Sequence, residues 1–589
     1  MKKIRYIIIF LTIPVGIVLY SCSKSFLEKP ALGALSEDVL ANKKGVTGLL
    51  VGAYAALDGQ NVGGGIWESS PDNWIYGSVA GADSHKGSWS GDQPPIDLIG
   101  TGKSDPSNGF FNAKWIACYE GIARCNSVLR VVEKATDITD DEKKIFIGEA
   151  RFLRGHYYSD LKKMFNMVPW IDETTTDLKT PNNVDIWPNI EADFKNAADN
   201  LGDIAPAVGR VNKWAATAYL AKTYLYEKKY EDAKNTFTTV INSGKTSQGV
   251  AYDLYDRYED NFDPATKNGK ESVFAVQMSA KDGSGGIGNA NQGDMLNFPY
   301  GDSPFGCCGF YQPTFDLVNS FRTDPTTGLP FVDTYNSVII TNDQNVGSND
   351  PFTPYTGSLD PRLDWTVGRR GLPYNDWGIH PGQKWIRDQG YSGPYAPKKN
   401  IFWQKTADQY WDKSSWAPGS AININIIRFG DVLLMAAEAE AQAGSLDIAE
   451  DYVNRVRNRA AKPQSALYKY INDADPLAGF STTPAANYKI SPYDPGYFAA
   501  QGKDNALKAI YFERKLELGM EGHRFFDLVR WGIAATTLNA YFTFEKQFTA
   551  DVQSGSFTAG KNEYFPIPIQ QMDLSVSGGT ATLTQNPGY

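Results

Sequence analysis

Three loop segments of this 589-residue chain combine aromatic side chains with charged and amide groups. The face of a tryptophan or tyrosine packs against the C–H bonds of a sugar ring, while carboxylates, amides and basic groups hydrogen-bond the sugar hydroxyls. The mixture therefore predicts carbohydrate binding, although the same tryptophans could instead pack the loops against each other. The candidate ligand-binding residues are Asp72, Asn73, Trp74, Asp83, Lys86, Trp89, Phe305, Cys307, Cys308, Phe310, Tyr311, Arg369, Trp377 and Tyr395.

The adjacent residues Cys307 and Cys308, flanked by glycines, allow two states. They could form a vicinal disulfide, which would offer a rigid apolar plate to a sugar face, or remain two thiols. Cys118 and Cys125 share one face of a predicted helix, but a separation of about two turns is too long for a disulfide within that helix. We predict that these two are buried free thiols.

A cluster of acidic and basic side chains between residues 513 and 530 suggests general acid and base catalysis at first sight. Spacings of three and four place them on neighbouring helical faces, where alternating charges favour a structural ion network instead. The cluster consists of Glu513, Arg514, Glu517, Glu521, Arg524, Asp527 and Arg530.

Recognisable catalytic signatures are missing from the sequence. It contains no Gly-x-Ser-x-Gly elbow, no His-Glu-x-x-His and no complete phosphate-binding loop ending in Gly-Lys-Ser/Thr. A glycosidase needs only two suitably placed carboxylates, which sequence cannot exclude among 67 acidic residues. We predict no catalytic residues and no cofactor.

The net charge and the histidine positions argue against nucleic-acid and metal binding. The chain carries a net charge of −10 with scattered Lys and Arg, so it lacks the basic footprint that nucleic acids require. Its four histidines are isolated, which argues against a histidine-rich metal centre. The acidic loop 343–350 offers oxygen ligands for calcium but lacks EF-hand spacing, and we predict no metal site.

The first 22 residues read as a bacterial lipoprotein signal. Basic residues precede an apolar run from Tyr6 to Leu19, which is shorter than the roughly 20 residues a spanning helix needs. Leu19-Tyr20-Ser21 then leads to Cys22, the predicted lipidation site. We expect this anchor to tether the mature chain to a membrane.

Helical periodicity appears on both sides of a long irregular middle. Apolar residues recur at steps of three and four between 110 and 166, and 211–244 has the spacing of a tetratricopeptide unit. A weaker copy spans 428–456, and a final helical pair lies near 503–533. We predict a mainly α fold: a tetratricopeptide-like helical scaffold with a loop-rich second lobe containing little β structure.

These patterns divide the chain into six segments. They are a signal peptide (1–21), a lipidated tether (22–36), an N-terminal helical part (37–245) with a ligand-loop insert (61–108), a loop-rich ligand-facing lobe (246–420), a C-terminal helical part completing the scaffold (421–545) and a C-terminal tail (546–589).

Several stretches together resemble the starch-utilisation-system D family, also called RagB/SusD. Any one of them would be a weak match, but they occur in order along the whole chain. The matching residues are Arg151-Phe152-Leu153-Arg154 with Tyr157, Leu161, Phe165, Val168 and Pro169; Lys213 to Tyr226; Arg428, Asp431, Val432, Leu433, Leu434, Ala437, Glu438 and Ala439; Glu513 to Leu518; Glu521 to Arg524; Phe526 to Leu528; Arg530-Trp531-Gly532; Pro566-Ile567-Pro568; and Gln585 to Tyr589.

The resemblance implies a bilobed surface lipoprotein of the outer membrane that captures oligosaccharide for a SusC-like TonB-dependent transporter barrel. It implies no enzyme activity, and no motif of the family transfers the ligand-binding residues one by one. Two alternatives stay open: a surface glycan hydrolase, and a helical-repeat adaptor that binds peptide or protein.

Overall fold

The computed structural model of the chain describes residues 36–589. The signal segment 1–21, Cys22 and nearly all of the tether lie outside the described residues. Within 36–589, no helix combines the length and the apolar character needed to cross a membrane.

Local capping signals explain where the N-terminal helices begin. The Asn108 side chain accepts a hydrogen bond from the first turn of its helix, and Asn212 does the same. Thr139 and Glu142 form a reciprocal capping box. The helices are α1 (Glu37–Leu40), α2 (Lys43–Ala55), α3 (Pro94–Gly100), α4 (Gly109–Lys134), α5 (Asp140–Phe165), α6 (Trp187–Asn200), α7 (Lys213–Tyr226) and α8 (Tyr230–Ser243).

The middle of the chain is mostly irregular, as the sequence predicts. It holds only short helices and two-stranded pairings, and its two longest strands, Ser272–Val276 and Ile424–Arg428, pair antiparallel. The elements are β1 (Ser272–Val276), α9 (Phe315–Ser320), α10 (Leu363–Thr366), β2 (Val367–Gly368), α11 (Gln389–Ser392), β3 (Ala396–Pro397), α12 (Ala407–Tyr410), β4 (Trp411–Asp412), β5 (Gly419–Ser420) and β6 (Ile424–Arg428).

The C-terminal part returns to helices. Beyond the helical pair expected near 503–533 the structure adds two more helices, over 534–545 and 569–574, which we did not predict from the sequence. The elements are α13 (Phe429–Ala443), α14 (Leu446–Ala460), β7 (Tyr468–Tyr470), β8 (Phe480–Pro484), α15 (Tyr497–Gln501), α16 (Lys503–Leu518), α17 (Arg524–Arg530), α18 (Ala534–Glu545), α19 (Ile569–Leu574), β9 (Val576–Ser577) and β10 (Thr580–Ala581).

The long helices form one continuous stack. In chain order α4, α5, α6, α7 and α8 each contact the next, and α8 then packs on α13, which contacts both α14 and α16. The mainly α, tetratricopeptide-like scaffold is therefore confirmed, and the C-terminal helices complete it across the intervening loop-rich segment. Cys118 and Cys125 are free and buried within α4, also as predicted.

The charged cluster of 513–530 is a buried ion network. Glu517 on α16 binds Arg428 (2.6 Å) and Arg362 (2.9 Å) and also pairs with Arg459. Burial alone would raise the pKa of Glu517, but the three guanidinium groups lower it well below its ordinary value. The network therefore ties α16 not only to the start of α13 and to α14 but also to the loop-rich segment, which contributes Arg362.

Candidate ligand-binding surface

The insert and the loop-rich segment meet through backbone pairing. Residues 84–88 bridge antiparallel to 309–313. The Ser88 N–H donates to the Gly309 carbonyl (2.6 Å), and the Tyr311 N–H donates to the carbonyl of Lys86 (2.8 Å). Candidate residues that lie more than 200 positions apart in the chain are thereby brought side by side.

Trp89, which directly follows the paired residues 84–88, exposes its aromatic ring at the surface. The Trp89 side chain is 45% exposed. The Arg387 guanidinium lies 5.9 Å from the centre of the Trp89 ring and 4.6 Å from that of Tyr300. It is held there by hydrogen bonds to the Asp92 carboxylate (2.8 Å) and the Ser88 hydroxyl (2.9 Å). These groups offer a stacking face beside a fixed cation.

Lys86 stabilises the loop carrying Trp89, but its own side chain is not exposed at the surface. Its side chain is buried, and its ammonium donates to the backbone carbonyls of Trp89 (2.8 Å) and Asp92 (2.5 Å). The ammonium also pairs with the Asp97 carboxylate at 3.0 Å. Burial raises the pKa of Asp97 to about 6, although Lys86 opposes the rise. Lys86 thus fixes the loop that displays Trp89.

Cys307 and Cys308 are joined as a vicinal disulfide, which settles the choice left open by the sequence. Cys307 is half-buried and Cys308 is buried. The neighbouring Phe305 is buried against Trp377, with ring centres 5.0 Å apart. Trp377 keeps part of its surface accessible. The disulfide is therefore attached to a firm aromatic cluster.

Several predicted contact residues lie beneath the surface instead. The Trp74 ring is fully buried and packs against Phe310 (6.4 Å between centres) and Tyr311 (5.4 Å). A ring without exposed surface cannot stack on a sugar, so these three aromatic residues pack the loops against each other. Asn73 is likewise buried, in the left-handed conformation that precedes the π-helical turn Trp74–Val79.

Three further predicted residues are also enclosed. Arg369 forms a buried ion pair with Asp364 at 2.8 Å. Tyr395 is 1% exposed. Asp83 accepts a hydrogen bond from the Met520 N–H (3.2 Å), and burial raises its pKa to about 7. These side chains have no face available to a ligand in this arrangement.

Of the predicted residues, Trp89, Cys307, Trp377 and Asp72 keep accessible surface, and for them ligand contact stays a prediction. Sequence reasoning missed Tyr300, Asp92 and Arg387, because no motif or spacing links these residues to Trp89. Only the folded loops bring them together. Among residues 36–589 there is no cluster of three or more His, Cys, Asp or Glu side chains arranged to hold a metal ion.

Comparison with known families places most of the chain within recognised sequence models. The model of the SusD family matches residues 270–589. A second model, described as starch-binding associating with outer membrane, matches residues 68–225.

Individual relatives agree with these matches. The chain is 24% identical over 484 residues to SusD-like protein P25 of Formosa agariphila, covering 78% of this chain and 76% of the relative. It is 22% identical over 543 residues to SusD-like protein P38 of the same organism, covering 90% and 92%.

Solved structures share the fold. A laminarin binding SusD-like protein is 25% identical, with a TM-score of 0.62 over 93% of this chain and 100% of the other. Surface glycan-binding protein A from Bacteroides thetaiotaomicron, solved in complex with laminarihexaose, is 20% identical, with a TM-score of 0.63 over 92% and 99%.

Proposed function

Because the chain belongs to the SusD family, we propose that it is a surface glycan-binding lipoprotein that captures oligosaccharide and delivers it to a TonB-dependent outer-membrane transporter. The single observation that carries glycan binding is the exposed Trp89 ring, fixed beside Arg387 and Tyr300. A sugar ring stacks on the indole while its hydroxyls hydrogen-bond the guanidinium and the Asp92 carboxylate.

Laminarin-type glucans are the first ligands to test, since a relative at 25% identity is described as laminarin binding. Calorimetric titration with laminarihexaose should show binding by the wild type. We expect Trp89→Ala to weaken it at least tenfold, or about 1.4 kcal/mol, because the stacking face is lost. Arg387→Ala should have a similar effect.

Trp416→Ala provides the matched control, because Trp416 is a second exposed tryptophan (64%), which packs edge-on against Trp67, whereas Arg387 lies beside Trp89 and Tyr300. This variant should bind like the wild type. Loss of affinity in Trp416→Ala together with unchanged affinity in Trp89→Ala would place the site elsewhere. If a broad glycan panel is silent while peptides bind, the adaptor alternative takes precedence.

The absence of catalysis is part of the proposal and needs its own assay. Purified protein incubated with the polysaccharide that it binds should release no reducing ends above a heat-treated control. Release that is abolished by a single Asp or Glu substitution would instead establish a surface hydrolase.

The anchor and the partner complete the proposed function. Cys22→Ala should move the protein from the membrane fraction to the soluble fraction, because the lipid would no longer be attached. Protease accessibility on intact cells tests surface exposure. Cross-linking in membranes should recover a TonB-dependent barrel with the wild type, and recovery of no barrel would remove the delivery step.

A further inference from the structure

An open groove, lined by none of the candidate ligand-binding residues, runs along one face of α4. It has a volume of about 560 Å³ and is bordered by residues 169–180 and 571–583. The α4 residues that line it recur at steps of three and four, as they do on a single helical face. They are Ile116, Tyr119, Ala123, Ser127 and Arg130.

Large apolar side chains of this groove are left open to solvent. Leu178 is 75% exposed and Leu574 is 68% exposed, and both line the groove. Val576, 39% exposed, extends the apolar surface, because the Lys179 ammonium donates to the Val576 carbonyl and so holds the two borders together. Exposed apolar surface of this kind marks a contact site.

The described chain begins at one end of the groove. Glu37, the first residue of α1, binds Arg130 at 2.7 Å and Lys134 at 2.7 Å through its two carboxylate oxygens. Arg130 in turn lines the groove. The chain that precedes α1 therefore leaves the body beside the exposed face of α4.

The segment 26–35, which lies outside the described residues, has a composition that suits an apolar groove. Its large apolar side chains are Phe26, Leu27, Leu32 and Leu35. Its only charges, on Glu28 and Lys29, are opposite in sign. The face of α4 from Arg130 to Ile116 is about 21 Å long, and ten extended residues span about 33 Å. The segment is thus long enough to follow the groove in one pass.

We propose that residues 26–35 bind along this groove of their own chain, with Leu35 at the Arg130 end and Phe26 towards Ile116. The contact covers Leu178 and Leu574. A separate peptide or a second copy of the chain would have to reach the groove by diffusion. Residues 26–35 are instead attached beside it, at an effective concentration of about millimolar, which favours them over other occupants.

The bound segment also limits how far the body can move from a membrane anchor. Fourteen extended residues, 22–35, span about 46 Å, whereas the four residues 22–25 span about 14 Å. The Ile116 end of α4 is therefore kept near the membrane. This consequence rests on the proposed lipidation of Cys22, but the contact in the groove does not.

Photo-cross-linking tests the contact without assuming its exact register. The probe p-benzoylphenylalanine replaces Phe26 in the chain 22–589 carrying Cys22→Ala, which keeps the whole tether and removes the lipid. We expect irradiation to produce intramolecular cross-links that mass spectrometry locates in α4, in 169–180 or in 571–583. The same probe at Leu477, an exposed leucine (54%) outside the groove, should give none at these positions.

The melting temperature gives a second readout that needs no probe. Leu178→Ser should lower it by at least about 1 °C, although Leu178 is largely exposed within residues 36–589, because the bound segment buries its side chain. Leu477→Ser, at a comparably exposed leucine, should leave it within the error of measurement. The difference between the two should vanish when residues 26–35 are replaced by a Gly-Ser sequence of equal length.

The proposal is overturned if the probe at position 26 forms no cross-link, joins two copies of the chain or reacts outside the groove. It is also overturned if Leu178→Ser and Leu477→Ser melt alike in the otherwise unchanged chain. Laminarihexaose binding is measured separately, so neither result would alter the proposed glycan binding.

Discussion

At the scale of single residues, buried ionised side chains hold the insert in place. His85 lies between two carboxylates, with Nε2 3.0 Å from Glu545 and Nδ1 2.8 Å from Asp551. Burial disfavours the imidazolium, yet the charges and hydrogen bonds of Asp551 and Glu545 outweigh it and raise the pKa of His85 to about 10. His85 is therefore charged at neutral pH.

A pH-dependent contribution of His85 follows from this shift. Since the folded-state pKa lies above the unfolded value, its stabilisation is full below pH 6.5 and disappears as the pH rises through 10. His85→Gln should lower the free energy of unfolding by roughly 3 kcal/mol at pH 6 and by much less at pH 10. Urea unfolding of both proteins at the two pH values measures the difference.

His156 offers the matched control for that experiment. It is also fully buried, but burial lowers its pKa to about 4, so it is neutral at both pH values. His156→Gln should change the free energy of unfolding equally at pH 6 and pH 10. An equal effect of His85→Gln at the two pH values would contradict the assignment of a buried charge.

The two tryptophans of the insert show that the sequence alone does not predict which aromatic side chains are exposed. Trp74 and Trp89 occur in similar Asp- and Gly-rich surroundings, yet one is fully buried and the other is 45% exposed. Their burial is decided by contacts with Phe310, Tyr311 and Arg387, which lie more than 200 residues away along the chain. Residue type therefore predicted the chemistry of the loops but not which residues face outward.

At the scale of elements, the helices were predictable because their signals are local. Apolar periodicity marked α4, α5 and α7, and the capping residues Thr139 and Asn212 lie next to the helices that they begin. The irregular segments carry no such periodicity, so the sequence could identify them only by composition. Close packing between helices also limits the size of the side chains at their contacts, and apolar periodicity does not reveal this limit.

Gly121 illustrates this constraint, because it lets α4 approach α5. A Cβ atom at this position would lie 2.4 Å from the Tyr157 ring. Gly121→Ala should therefore lower the free energy of unfolding by about 1–3 kcal/mol despite the higher helix propensity of alanine. Thermal or urea unfolding gives the value.

The contrasting substitution is Gly48→Ala in α2, where a Cβ atom meets nothing within 4 Å. Here helix propensity acts alone, and we expect a gain of about 0.5–1 kcal/mol. Should both substitutions change stability in the same direction, packing of α4 on α5 would not be the cause.

At the scale of the whole molecule, the Glu517 network joins the scaffold to the loop-rich segment. Arg428 and Arg459 reach Glu517 from the C-terminal helical part, and Arg362 reaches it from between residues 246 and 420. All four side chains are buried. Removing one charge from such a network leaves the others buried without compensation.

Glu517→Gln should therefore lower the free energy of unfolding by about 3–5 kcal/mol. Glu37→Gln serves as the control, because Glu37 binds Arg130 (2.7 Å) at the surface and should contribute less than about 1 kcal/mol. Intrinsic fluorescence and far-UV circular dichroism should report the same transition in the wild type. If Glu517→Gln leaves the midpoint unchanged, the network does not link the two parts energetically.

The hydrogen bonds that Lys86 and Asp92 make in the loop carrying Trp89 should also affect the rate of ligand association. The loop is fixed through two backbone carbonyls and Arg387 through a carboxylate, so the unliganded protein already holds the arrangement a ligand would meet. Little ordering entropy is then lost during encounter. We therefore expect different oligosaccharides to associate at similar rates and to differ chiefly in their dissociation rates.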